Sequence, residues 1–80
     1  MRLDKYLKVS RIIKRRTVAN EACDNERVAV NGKSARASYE VKVGDVLEIR
    51  FGAKTLKAEV LAVLEHTRKE EAGQMYREIL

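Results

Sequence analysis

The sequence has no proline and no tryptophan, and among its 80 residues are only one phenylalanine, four glycines and one cysteine. A lone Cys23 excludes an internal disulfide, and with no second cysteine or histidine at ligand spacing it does not outline a metal site. No eighteen-residue apolar run is present, and no hydrophobic leader precedes a small-residue cleavage site, so the protein is expected to be soluble, intracellular and cytoplasmic. The few glycines form no phosphate-cradling loop. A chain this short is one small domain that hides only about 60 to 65 per cent of its unfolded surface, too little to enclose a deep substrate cavity. Function is therefore expected on the surface, without catalysis and without a cofactor.

What is present is aliphatic and charged. Hydrophobic residues make up 45% and charged residues 36%, enough Val, Leu, Ile and Ala to build a core. The net charge of +5 is unevenly distributed. Residues 1–16 contain Arg2, Lys5, Lys8, Arg11, Lys14, Arg15 and Arg16 against Asp4 alone, whereas residues 17–80 are close to neutral. A solvated helix face normally mixes both signs, so this block points to a polyanion, and nucleic-acid phosphate fits best because its neutralisation releases counterions. A membrane surface is disfavoured: such helices carry a broad apolar face, and this segment offers only Leu3, Tyr6, Leu7, Val9, Ile12 and Ile13.

The pattern of periods indicates an α+β fold. Leu3, Tyr6 and Leu7 share one side of a short first helix. The basic residues at 2, 5, 8, 11 and 14 would drift by about 60° per step on one straight helix, so a break near Ser10 is expected. Thr17 reads as the N-cap of a second helix over about 18–25, with Val18, Ala19, Ala22 and Cys23 on its apolar face. Val28 and Val30 then alternate with polar neighbours before Asn31-Gly32, a pair suited to a tight turn. Residues 33–45 read as loop with short extended pieces. Two further strands follow, one over Val46–Phe51 and one alternating from Leu56 to Leu64. The spacing of Met75, Tyr76, Ile79 and Leu80 predicts a C-terminal helix over 67–80, outside a domain of residues 1–66.

Four segments in order, Arg2-Leu3-Asp4-Lys5-Tyr6-Leu7-Lys8, Lys14-Arg15-Arg16-Thr17, Arg27-Val28-Ala29-Val30-Asn31-Gly32-Lys33 and Val43-Gly44-Asp45, resemble the S-four RNA-binding domain over roughly residues 1–51. The resemblance implies a pair of helices on a small, mainly antiparallel sheet, gripping structured RNA. It places Arg2, Lys5, Lys8, Arg11, Lys14, Arg15, Arg16 and Thr17 on the RNA face, with Lys33 and Arg36 approaching from the turn, and Arg16 foremost. Glu26 departs from the family, where glycine commonly ends the second helix; Asn25 beside it is expected to take the left-handed conformation instead.

Segments Arg50-Phe51-Gly52 and Lys69-Glu70-Glu71-Ala72, with Met75-Tyr76, make the chain most similar to stand-alone members acting in ribosome-associated quality control. That implies a monomer bound to large-subunit rRNA and P-site tRNA on the stalled large ribosomal subunit. There it would support a tailing factor of the RqcH (NEMF) family that adds alanine to incomplete chains. The alternatives are a heat-shock-fifteen-like factor, which binds free large subunits with nascent chains, and a small DNA-binding regulator. The second helix, with Glu21, Asp24 and Glu26, is too acidic for a major groove.

The remaining chemistry-bearing residues favour structural roles. Tyr6 shares a face with Leu3 and Leu7 and reads as core rather than as a base-stacking ring. Tyr39, among polar loop residues, is open to either role, and Tyr76 reads as packing or a partner contact. Asp4 is expected to cap the first helix or to orient its basic neighbours. Cys23 reads as a small core residue, His66 as a surface or capping residue, and Glu70 and Glu71 as solvated.

Overall fold

The computed structural model describes residues 1–65 and 68–79. Its elements in chain order are α1 (Leu3–Val9), α2 (Arg16–Asp24), β1 (Val28–Val30), β2 (Lys33–Ser34), β3 (Val46–Phe51), β4 (Lys54–Val60), α3 (Lys69–Ala72) and β5 (Tyr76–Glu78). The strands form one antiparallel sheet in the order β2-β1-β3-β4-β5, so the fold is α+β as the periodicities indicate.

Local chemistry explains the sheet. Asn31 (φ 53°) and Gly32 (φ 86°) supply the two consecutive positive φ angles of a type I′ turn, which pairs Val30 with Lys33. Gly52 (φ 59°) opens the two-residue turn that pairs Phe51 with Lys54. Along β1, β3 and β4 the inward positions Val28, Val30, Leu47, Ile49, Ala58 and Val60 are buried. Leu3, Tyr6 and Leu7 of α1 close over them with no exposed surface, each burial contributing about 1.5–3 kcal/mol.

Both helices of the pair end on a left-handed residue that is not glycine. Arg11 (φ 64°) follows the Ser10 cap and breaks the chain where the charge spacing requires it. At the end of α2 the left-handed residue is Glu26 (φ 57°), not Asn25 (φ −90°). The Arg27 N–H donates to the Ala22 carbonyl at 2.9 Å and the Glu26 N–H to that of Cys23 at 3.0 Å, a Schellman closure that forces the glutamate into the strained region.

The C-terminal segment departs from the expected long helix. Residues Lys69–Ala72 make one helical turn, after which Tyr76–Glu78 join β4 as an edge strand, with Val60 opposite Tyr76 and Ala58 opposite Glu78. Strand β4 also ends at Val60 rather than Leu64, because the Leu61 and Ala62 N–H groups turn to the Met75 carbonyl at 2.8 and 3.1 Å. Met75 is fully buried, and its carbonyl accepts a further bond from the Tyr6 hydroxyl at 2.7 Å. Tyr6 is therefore a core residue whose polar tip is satisfied, and burial raises its pKa. The readings made for His66, Thr67 and Leu80 lie outside the described residues.

Candidate nucleic-acid interface

The basic block is organised around one carboxylate. Asp4, in the first turn of α1, is 2% exposed, and its oxygens accept from four donors. The Lys5 backbone N–H lies 2.8 Å from Oδ1, Arg2 Nε 3.2 Å from Oδ1, Arg16 Nε 3.4 Å from Oδ2, and Asn20 Nδ2 3.2 Å from Oδ2. Burial pushes the Asp4 pKa up, but the bonds from Asn20, Arg2, Arg16 and the Lys5 N–H outweigh it, so the carboxyl lies below its ordinary value. One buried anion thus ties α1 to α2 and fixes two guanidinium groups side by side.

Those guanidinium groups are not consumed by the pairing. The Arg2 and Arg16 side chains are 51% and 49% exposed, with one edge turned to Asp4 and the remaining donors free to meet a bidentate oxyanion. Arg16 and Thr17 line an open groove of about 380 Å³ with Asp4, Asn20 and Glu21.

A second groove, about 680 Å³, holds Lys33 and Arg36 with Tyr39. The loop that carries Arg36 is tied to the start of α1 by Asp4 N–H to Ala37 carbonyl (3.2 Å) and Leu3 N–H to Tyr39 carbonyl (2.7 Å). Arg36 is thereby brought to the end of α1 where Arg2 and Asp4 lie.

Lys8, Arg11, Lys14 and Arg15 are all exposed, and among the described residues none is in an ion pair. Lys5 differs from the rest of the block: it is half-buried and paired with Glu65. Thr17 is not the N-cap. Ala19 N–H donates to the Arg15 carbonyl at 3.0 Å, so the helix starts earlier than expected, with Arg15 at the cap and Thr17 exposed at the second helical position.

Two residues of the scaffold carry more than their sequence positions suggest. Asp45 is 8% exposed and accepts from Tyr39 Oη (2.8 Å), Asn31 Nδ2 (3.1 Å) and the Lys42 N–H (2.9 Å). Burial again opposes ionisation, and these three bonds win, leaving the Asp45 carboxyl lowered while the bond to Asp45 and burial raise the Tyr39 phenol. Asn31 completes the link through the Val46 N–H at 3.0 Å. The Asn31-Gly32 and Val43-Gly44-Asp45 motifs are therefore one device that clamps the hairpin turn to the loop bearing Arg36. Asn20, the fourth donor to Asp4, had no sequence signal beyond its place on the polar side of α2.

The Cys23 thiol is pushed up to about 11, chiefly by burial and then by Asp4 and Asp24, so it stays protonated and unreactive. Among the described residues no group of three His, Cys, Asp or Glu side chains comes together, and no helix is long and apolar enough to cross a membrane.

This arrangement, a helix pair displaying cations above a small sheet, is that of a nucleic-acid-binding module, and residues 1–47 match the S4 domain, so the chain belongs to the S4-domain family. More particularly, it is 59% identical over 76 residues to the RQC P-site tRNA stabilizing factor of Streptococcus pneumoniae, covering 95% of this chain and 86% of that protein. It is 54% identical over 76 residues to the factor of the same name from Bacillus subtilis, covering 95% and 88%. Among solved structures, the trimeric heat shock protein 15 of Vibrio cholerae superposes with a TM-score of 0.92 at 31% identity, covering 99% of this chain and 81% of that one.

Proposed function

We propose that the chain is an RNA-binding accessory factor of ribosome-associated quality control. It binds stalled large ribosomal subunits carrying peptidyl-tRNA, touches large-subunit rRNA and the P-site tRNA, and supports alanine tailing by a factor of the RqcH (NEMF) family. It works in the cytoplasm as a monomer and by positioning alone. The observation that carries this reading is the pair Arg2 and Arg16, held half-exposed by the buried Asp4. Around them Lys8, Arg11, Lys14, Arg15, Lys33 and Arg36 supply charge, Thr17 offers a hydroxyl, and Lys5 contributes through its pairing with Glu65.

RNA duplexes offer phosphates and 2′-hydroxyls rather than a readable major groove, so guanidinium forks fixed at one spacing recognise shape. The 59% identity to a protein named for stabilising P-site tRNA in this process supports the tRNA as one ligand. Reconstitution tests it: purified large subunits with peptidyl-tRNA, the tailing factor and alanyl-tRNA are mixed with the protein, and tails are read by gel mobility. Tailing that rises with the wild type and not with Arg16→Ala supports the reading; tailing indifferent to the protein overturns it.

A second reading, a heat-shock-fifteen-like factor that binds the free subunit without promoting tails, is favoured by the TM-score of 0.92. It is separated by the same assay, since subunit binding would persist while tailing stayed unchanged. Because that relative is trimeric, light scattering on the purified chain decides the monomer.

A further inference from the structure

We propose that the groove between α2 and the end of β3 docks a protein segment presenting a single carboxylate beside an apolar side chain. The Arg50 N–H donates to the Arg27 carbonyl at 2.9 Å, which continues the register of Val28 opposite Ile49 and sets Arg27, just before β1, opposite Arg50 of β3. Like charges in that relation are destabilising, and among the described residues neither arginine is in an ion pair. Beside them Phe51 is 43% and Val18 47% exposed, large apolar side chains left half-covered next to two guanidinium groups outside any ion pair among the described residues. Ile13 and Ala22 complete a cleft of about 150 Å³.

An exposed aromatic flanked by arginines is the composition of a protein-interface hot spot. The surrounding charge decides against RNA. Glu26 and Glu48 stand with Arg27 and Arg50 along the outer face of the sheet, whereas residues 1–16 hold Asp4 as their single acid. A run of phosphates would meet those acids. One carboxylate set between Arg27 and Arg50 meets two bidentate donors, and its apolar neighbour covers Phe51 and Val18. The cleft shares only Glu21 with the groove around Arg16, so such a segment can sit on the protein while RNA occupies the other flank of α2.

The test uses the full chain, isotope-labelled, and synthetic twelve-residue peptides with one Glu next to Leu or Phe in an otherwise neutral background, each matched to a Gln counterpart. A short RNA hairpin serves as the competing probe. The glutamate peptides are expected to shift the amides of Ala22, Arg50, Phe51 and Gly52, and to bind at least tenfold more weakly as the Gln counterpart or to Arg50→Gln. Phe51→Ala should abolish the shifts, with the spectra of both variants reporting that the fold is intact. The proposal is overturned if no peptide moves these amides, if the Gln peptides bind equally, if the hairpin moves them instead, or if they shift with protein concentration alone, which would assign the cleft to a second copy. None of these outcomes depends on the RNA reading of the opposite flank.

Discussion

Arginine stands at both N-caps of the helix pair, Arg2 before α1 and Arg15 before α2, and neither side chain caps its helix. A cation there opposes the positive helix end; at α1 the Asp4 carboxylate accepts from the Lys5 N–H and the Tyr39 and Ala37 carbonyls accept from the Leu3 and Asp4 N–H groups, whereas α2 has no side-chain oxygen at its cap. Residues that break local rules in this way mark places where stability has been given up for another purpose. Arg15→Ser should therefore stabilise the fold by about 1 kcal/mol in urea titrations while reducing the salt slope of RNA binding by about one unit. The two buried carboxylates act in the opposite sense. Asp4 and Asp45 both have folded-state pKa values below the ordinary 3.8, so they add stability that is fully present above that value and is lost as pH falls through their lowered values. Acid unfolding followed by circular dichroism should begin below about pH 4, and Asp45→Asn should flatten the pH dependence while lowering stability at neutral pH. Asp4 was legible only as a capping or orienting residue. Its ties to Arg16 and Asn20 span 12 and 16 residues and became visible only when α1 met α2.

At the scale of elements, the strands and turns with strong local signals are where periodicity placed them: the Asn31-Gly32 hairpin, β3, and the break after Ser10. The errors fall where two periods fit the same residues. Met75, Tyr76 and Ile79 are spaced for a helix, yet a three-residue edge strand needs only β4 beside it, and pairing with Val60 and Ala58 outweighs local propensity. The start of α2 slipped because Thr17 is a better cap by type than Arg15, and the end slipped because Asn25 is a better left-handed residue than Glu26. That last mismatch is testable. Glu26→Gly relieves the positive φ of 57° and should raise the urea midpoint by the equivalent of about 0.5–1 kcal/mol, without change in RNA affinity because Glu26 lies off the basic block.

For the whole molecule, the segment beyond the S4 match is structural. Met75 is fully buried, Ala72 nearly so, and the Tyr6 hydroxyl reaches across the chain to the Met75 carbonyl. Met75→Ala should cost about 2–5 kcal/mol and Tyr6→Phe about 1–3 kcal/mol by thermal denaturation, both large beside the stability of a small domain. Charge segregation was legible from the first sixteen residues, because a polyanion surface is written in the count of charges rather than in their contacts. The scaffold that aims those charges was not, since Asp4 and Asp45 work through partners on other elements. The most direct measurement is the affinity of the protein for large subunits carrying peptidyl-tRNA as a function of salt, for wild type, Arg2→Ala and Arg16→Ala. If phosphates are gripped by about four to six of these cations, log affinity falls with log salt at a slope of roughly −3 to −5. Each variant should then bind about 1–2 kcal/mol more weakly while remaining folded. A slope near zero, or variants that bind as tightly as the wild type, would mean that the basic helix pair is not the surface that holds RNA.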